Sequence, residues 1–252
     1  MEQKFLIKSS TAKFKYKLNI NIYINYSMIL TMNNLNSLNS LNFMLKKYVY
    51  LTPSYRYVKQ KFFKNLVKID HIAHRSFNSR NFQNLQSFYK NQDFVKMNDI
   101  YNFPKLNVTA TWMKSKCFRV FLSQYNGDSN FIINNYEAYQ RLRRVNDYVA
   151  WTYIHQNDIN HVAIEVDDIY DIVKKIQGDN KLQLNNSENP IQISKDSNLL
   201  QASIVADKVQ YIFQDGECQL VPYTFVEFVQ RKNNREGFES DNAEQIFKST
   251  NH

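Results

Sequence analysis

A pattern that opens at Val67 returns at Asn160, and this duplication constrains the fold more than any other feature of the chain. Val67, Ile69, His71, Ala73 and Arg75 alternate with Lys68, Asp70, Ile72 and His74, the period-two signature of a strand. Helical character over Phe82–Met97 is followed by strand-like runs at Leu106–Met113 and Cys117–Gln124, and Tyr125–Asn130 reads as a loop. After a helical stretch from Tyr136 to His155, Asn160–Val166 is strand-like again. Asp167 is placed to cap a helix over Asp168–Ile176 that ends near Gly178. Further strands are expected at Ile191–Ser194, Leu199–Val205, Val209–Phe213 and Thr224–Val229. Strand, helix, several strands, a helical connector, then the same order again: this is an α+β chain built of two pseudo-symmetric modules.

Charge divides the chain differently. The net charge is +9 over 252 residues, yet residues 1–65 hold 11 Lys/Arg against the single acid Glu2, and residues 66–252 hold 21 against 22. The body is near neutral, so nucleic-acid binding by the folded domain is not expected. Residues 1–65 read as a basic extension with a Leu-Asn-Ser repeat between Leu35 and Leu41, either a mitochondrial presequence or an arm that docks on protein neighbours. The domain proper is expected over 66–252: module one at about 66–125, the connector at about 131–157, module two at about 158–232 and a tail at 233–252. Two cysteines, Cys117 and Cys218, make neither a disulfide framework nor a zinc ribbon. No run of ~18 apolar residues exists to span a membrane. Heavy use of Asn, Lys, Ile, Tyr and Phe with four Gly and four Pro reads as A+T-rich coding bias, so most surface Asn carries no function.

Three residues stand out against that background. His71 and His161 sit at equivalent points of the two modules, each near the start of an opening strand. Glu227 lies in Phe225-Val226-Glu227-Phe228-Val229, where an ionised carboxylate is costly without a cation or several donors. A salt bridge or an edge position would account for Glu227 alone. Taken together, the three supply a 2-His-1-carboxylate face, a ligand set that leaves coordination positions open and suits non-haem Fe(II). Arg75 follows ~7 Å along the strand face of His71 and has the planar fork that binds a carboxylate bidentately.

Several segments then show a resemblance. Ile69-Asp-His-Ile-Ala-His-Arg75, Cys117–Gln124, Ile159-Asn-His-Val-Ala-Ile164, Ala206–Val209 with Phe213–Gly216, Val226–Arg231, and the ending Arg235–Glu239 with Asp241–Thr250 resemble the 2-oxoadipate dioxygenase/decarboxylase family, over roughly residues 66–250. That family belongs to the vicinal-oxygen-chelate superfamily, so the resemblance implies paired βαβββ modules forming a half-open, barrel-like sheet with flanking helices. It implies Fe(II) held by His71, His161 and Glu227, Arg75 on a substrate carboxylate, and conversion of a small 2-oxo acid with O2, of the type 2-oxoadipate to 2-hydroxyglutarate. His74 stands where an aromatic such as Phe is more usual, and by alternation it points away from the metal. Longer family members continue past this region and add substrate contacts.

Two functions stay open at this level. One is an Fe(II)-dependent dioxygenase, expected in mitochondria. The other is a family member recruited as an accessory subunit of a large mitochondrial assembly, respiratory or ribosomal, with residues 1–65 docking on neighbours. Other residues read as structural: His155 at a helix end, Arg141, Arg143 and Arg144 on a solvated face, Trp112 and Trp151 in the core, and Glu165 as a weak candidate to support the metal ligands. No phosphate loop, nucleophile elbow or H-E-x-x-H is present.

Overall fold

The duplicated pattern is realised as two halves of one eight-stranded mixed sheet. A computed structural model describes residues 5–6, 21–22, 48, 52–116, 118–127 and 131–237. Strands β1 (Phe5–Leu6) and β2 (Asn21–Ile22) pair with each other, and α1 spans Pro53–Phe63. The first half follows as β3 (Ile69–Ser76), α2 (Ser79–Lys90), β4 (Val95–Phe103), β5 (Val108–Lys114) and β6 (Arg119–Tyr125). Helices α3 (Tyr136–Val145) and α4 (Asp147–His155) lead to the second half: β7 (Asp158–Glu165), α5 (Ile169–Gln177), β8 (Gln192–Ile193), β9 (Leu199–Ser203), a hairpin of β10 (Lys208–Ile212) and β11 (Cys218–Pro222), and β12 (Phe225–Arg231). The sheet order is β4-β5-β6-β3-β7-β12-β9-β8. In each half the opening strand lies parallel to the closing one, β3 with β6 and β7 with β12, and the halves join antiparallel at a β3–β7 seam.

Alternation along these strands sorts the side chains onto two faces. Ile72, Val162, Ile164, Leu200, Ala202, Val226 and Phe228 point one way and are sealed by α1 and α5. Helix α5 earns its place through Ile169, Ile172, Val173 and Ile176, spaced to form one apolar stripe, each contributing roughly 1.5–3 kcal/mol on burial. Helix α2 covers Met113, Val120 and Leu122 with Phe82, Leu85 and Tyr89. The opposite, inner face carries His71, Ala73, Arg75, Phe121, Trp112, His161, Ala163, Phe225 and Glu227, by the registers of neighbouring strands. Helix α4 lies over this face, with Tyr148 packed beside Ala73 and Phe121, while the β10–β11 hairpin packs on α3 and α4.

Local rules explain where elements differ from the sequence reading. The single helix expected over Tyr136–His155 is two, because Asn146 takes an extended φ of −154° and its side chain accepts from Val149 N–H, capping α4. Helix α2 stops at Lys90, and a strand begins at Val95 after Asp93 adopts a positive φ of 61°. The N-cap of α5 is Asp168, which accepts from Tyr170 and Asp171 N–H, rather than Asp167. Strand β11 falls where no strand was expected. Residues 53–63, within the stretch read as an extension, form α1, and Tyr48, Tyr55 and Val58 are buried in the main apolar cluster. The Leu35–Leu41 repeat, the residues before it other than 5–6 and 21–22, Cys117, and the ending from residue 238 onward lie outside the described residues. No described helix is long and apolar enough to cross a membrane.

Candidate metal centre

Ala163 in the middle of β7 is the point around which the candidate ligands gather. Across the seam His71 pairs with Ala163, and on the other side Glu227 pairs with the same residue. His161 lies two residues back on β7, facing Ala73 on β3 and Phe225 on β12. Two alanines thus form the floor, and three polar side chains rise around it. His71 Nε2 and His161 Nε2 are 3.2 Å apart, His161 Nε2 and Glu227 Oε2 3.0 Å, and His71 Nε2 and Glu227 Oε2 3.7 Å. All three residues are buried. Ligands at adjacent positions around an ion at about 2.0–2.2 Å are separated by about 3 Å, so the spacing fits a single cation.

Hydrogen bonding behind the ligands decides what these atoms can do. The His71 Nδ1–H donates to Asp70 Oδ1 at 2.8 Å, and His161 Nδ1 lies 3.1 Å from Asn160 Oδ1. Each ring therefore spends its proton on the far side and turns an acceptor nitrogen inward. Burial pushes the His161 pKa down to about 4, against the pull of Glu227, which keeps the ring neutral at ordinary pH. For Glu227, burial works to raise the pKa, and the Gln201 amide is among the groups that lower it. Gln201 Nε2 donates to Oε1 at 2.5 Å, and among the described residues Oε2 accepts no hydrogen bond. Two imidazole nitrogens and one carboxylate oxygen, all acceptors in these tautomers, face one another with no donor between them among the described residues. Such a group is stable around a cation and self-repelling without one.

Aromatic side chains wall the centre. The His161 ring stacks on Phe225 at 4.6 Å, His71 meets the edge of Trp112 at 5.3 Å, and Trp112 packs on Phe121 at 4.8 Å. Arg75 is buried on the same face, its guanidinium 4.9 Å from the Tyr148 ring and 5.3 Å from that of Trp151. Asp147 lies close enough to favour the Arg75 charge that burial disfavours, and that charge in turn helps to depress His161.

The sequence profile of the 2-oxoadipate dioxygenase/decarboxylase family matches residues 129–234, the stretch that carries His161 and Glu227. A 2-oxoadipate dioxygenase/decarboxylase of Arabidopsis thaliana, described as chloroplastic, is 24% identical over 251 residues, covering 72% of this chain and 67% of that protein. The chain thus spans about two thirds of this relative's length. The crystal structure of a hydroxyglutarate synthase from Oryza sativa, in complex with 2-oxoadipate, superposes with a TM-score of 0.71 at 22% identity over 84% of this chain and 91% of that one. The chain is a relative of the 2-oxoadipate dioxygenase/decarboxylase family. A putative glyoxalase superfamily protein from Ralstonia eutropha shares the fold at a TM-score of 0.62 and 16% identity, over 79% of this chain and 84% of that one. These two neighbours share the overall fold of this chain.

Within this family relative, all four residues singled out from sequence lie on the inner face, and three of them converge. Glu165 does not join them: it ends β7 and pairs with Lys68 at 2.5 Å. His155 bonds the Pro222 carbonyl of the hairpin at 2.8 Å. His74 points to the outer face and meets Tyr89 Oη at 3.2 Å. Trp112 and Trp151 are buried as expected of core residues, Trp112 against His71 and Trp151 against Arg75. Asp70, Asn160 and Gln201 were not anticipated. Asp70 and Asn160 each precede a ligand histidine, a repetition visible in the two quoted segments, whereas nothing in the sequence marks Gln201.

Proposed function

We propose that the chain is an Fe(II)-dependent dioxygenase/decarboxylase acting on a small 2-oxo acid, with His71, His161 and Glu227 as the iron ligands. The observation that carries this reading is the buried convergence of three acceptor atoms with no donor among them. The set His, His and carboxylate suits Fe(II) among the first-row metals and leaves sites for other ligands. Bound there, Fe(II) would supply electrons and the open positions at which a 2-oxo acid and O2 meet.

The chain's own residues supply the rest. Arg75 is positioned to hold a substrate carboxylate, its guanidinium steadied by stacking on Tyr148 and Trp151. Asp147 offsets part of its charge in the free protein. Phe121, Trp112 and Phe225 keep water from the reacting atoms, while Gln201 occupies one oxygen of Glu227 and so aims the other inward. With 2-oxoadipate as substrate, one O2 is consumed and 2-hydroxyglutarate and CO2 are formed, which balances all atoms.

The test is oxygen uptake by the Fe(II)-loaded protein with 2-oxoadipate, followed by product analysis. Stoichiometric O2 loss with 2-hydroxyglutarate formed, abolished in His161→Ala, supports the reading. Bound iron with no O2 consumption on any short 2-oxo acid overturns it.

A further inference from the structure

The pairing register of the seam skips one residue on each strand. Between β3 and β7 the partners run Ile69–Ile164, His71–Ala163, Ile72–Val162, Ala73–His161, His74–Ile159 and Arg75–Asp158, so Asp70 and Asn160 pair with nothing. Each is a bulge residue, and a bulge re-aims a side chain that simple alternation would send to the other face. Both re-aimed side chains do the same thing: Asp70 and Asn160 reach the Nδ1 atom of the following histidine.

The two supports are chemically unequal. Asn160 offers a neutral amide oxygen. Asp70 offers a carboxylate, itself gripped by Arg231 from β12, with Nε to Oδ2 at 2.6 Å and Nη2 to Oδ1 at 3.0 Å, and approached by Arg119 at 3.4 Å. Arg231 also donates Nη1 to the carbonyls of Arg235 at 3.3 Å and Gly237 at 2.8 Å, so the segment after β12 is folded back over the Asp70 side. A carboxylate behind an imidazole raises its basicity as a ligand and locks its tautomer; an amide only locks the tautomer.

We propose that Asp70, held by Arg231, is a positioning residue that fixes His71 in its Nδ1–H tautomer and makes it the stronger donor of the two histidines. The bulge is the device that lets a ligand and its support occupy consecutive positions on one face. The claim about donor strength rests on the metal-site reading above; the claim about the tautomer does not.

Two variants that remove the buried charge pair together separate the effects: Asp70→Ala/Arg231→Gln, which leaves no acceptor, and Asp70→Asn/Arg231→Gln, which leaves an amide like Asn160. Nitrogen NMR of the histidine-labelled, metal-free proteins reads which ring nitrogen bears the proton, and Co(II) titration reads affinity. His71 should carry its proton on Nδ1 in the native protein and in the Asn variant, and lose that preference in the Ala variant. Co(II) affinity should fall about 10–100-fold in the Ala variant and by less in the Asn variant. A native His71 protonated on Nε2, or an affinity equal in all three proteins, overturns the proposal. Should the native protein bind no Co(II), the metal reading fails, and the tautomer result alone decides the role of Asp70. Should the Ala variant not fold, comparison of the native and Asn proteins still decides it.

Discussion

The Nε2 atoms of His71 and His161 stand 3.2 Å apart across the β3–β7 seam, although 90 residues separate them in sequence. Both rings are held by an acceptor on the preceding residue, so their approach is that of two ligands and not of a donor with an acceptor. One divalent ion per chain is therefore expected. Loading at a free-ion concentration 100 times the dissociation constant should raise stability by about 2.7 kcal/mol, seen as a higher thermal midpoint that a chelator reverses. His161→Ala and Glu227→Ala should each abolish that shift; retention in either removes that residue from the site.

Ala163 leaves the room in which the three ligands meet. Ala163→Leu should fill it and prevent metal binding while the protein still folds, at an overpacking cost of about 1–3 kcal/mol. Circular dichroism and metal analysis of the purified variant check both halves. Native metal content in a folded Ala163→Leu protein would place the ion elsewhere.

Arg75 has a defined place on the rings of Tyr148 and Trp151. Arg75→Met should still bind the metal and should raise KM for a 2-oxo acid at least tenfold. Arg75→Lys should recover little, because an ammonium cannot reproduce the planar, stacked fork. An unaltered KM in the Met variant would assign carboxylate recognition to another group.

Away from the centre, Asp207 ties the start of α1 to the second half, accepting from Ser54 N–H at 3.1 Å and Ser54 Oγ at 2.7 Å. Burial pushes its pKa up to about 6, although the Ser54 bonds and Arg56 oppose the rise. A carboxyl raised on folding adds stability that is full below its unfolded pKa near 4 and lost as pH climbs through 6. Native stability relative to Asp207→Asn should thus decline between pH 4 and 7.5, by a few kcal/mol at most. Denaturant unfolding of both proteins at several pH values measures the difference, and parallel profiles would show that Asp207 does not titrate in this range.

The sequence reading reached the ligands because they obey simple alternation: His71, Ala73 and Arg75 share a face, and so do Phe225 and Glu227. It could not reach Asp70 or Asn160, since alternation sends both to the outer face and only the pairing of β3 with β7 creates the bulges. Gln201 was hidden for another reason. A polar residue in β9 gains meaning only when β12 lies beside it, with Val229 opposite Gln201 and Glu227 two residues away. Helix α1 was masked by its basic, polar surroundings, its burial resting on little more than Tyr55 and Val58. The broken connector was legible in principle, since Asn146 is a good cap, but its flanking residues continue a helical pattern on both sides.

The seam has a consequence for how the centre is assembled. No short peptide of this chain carries two of the three ligands, so the ion has nothing to grip until both halves have docked along β3 and β7. Loading is then a late event that latches a finished scaffold, and the bare protein has to reach its native topology unaided, with three mutually repelling groups already in place. The same arrangement makes release abrupt: parting the halves separates all the ligands at once, and the ion departs in a single step.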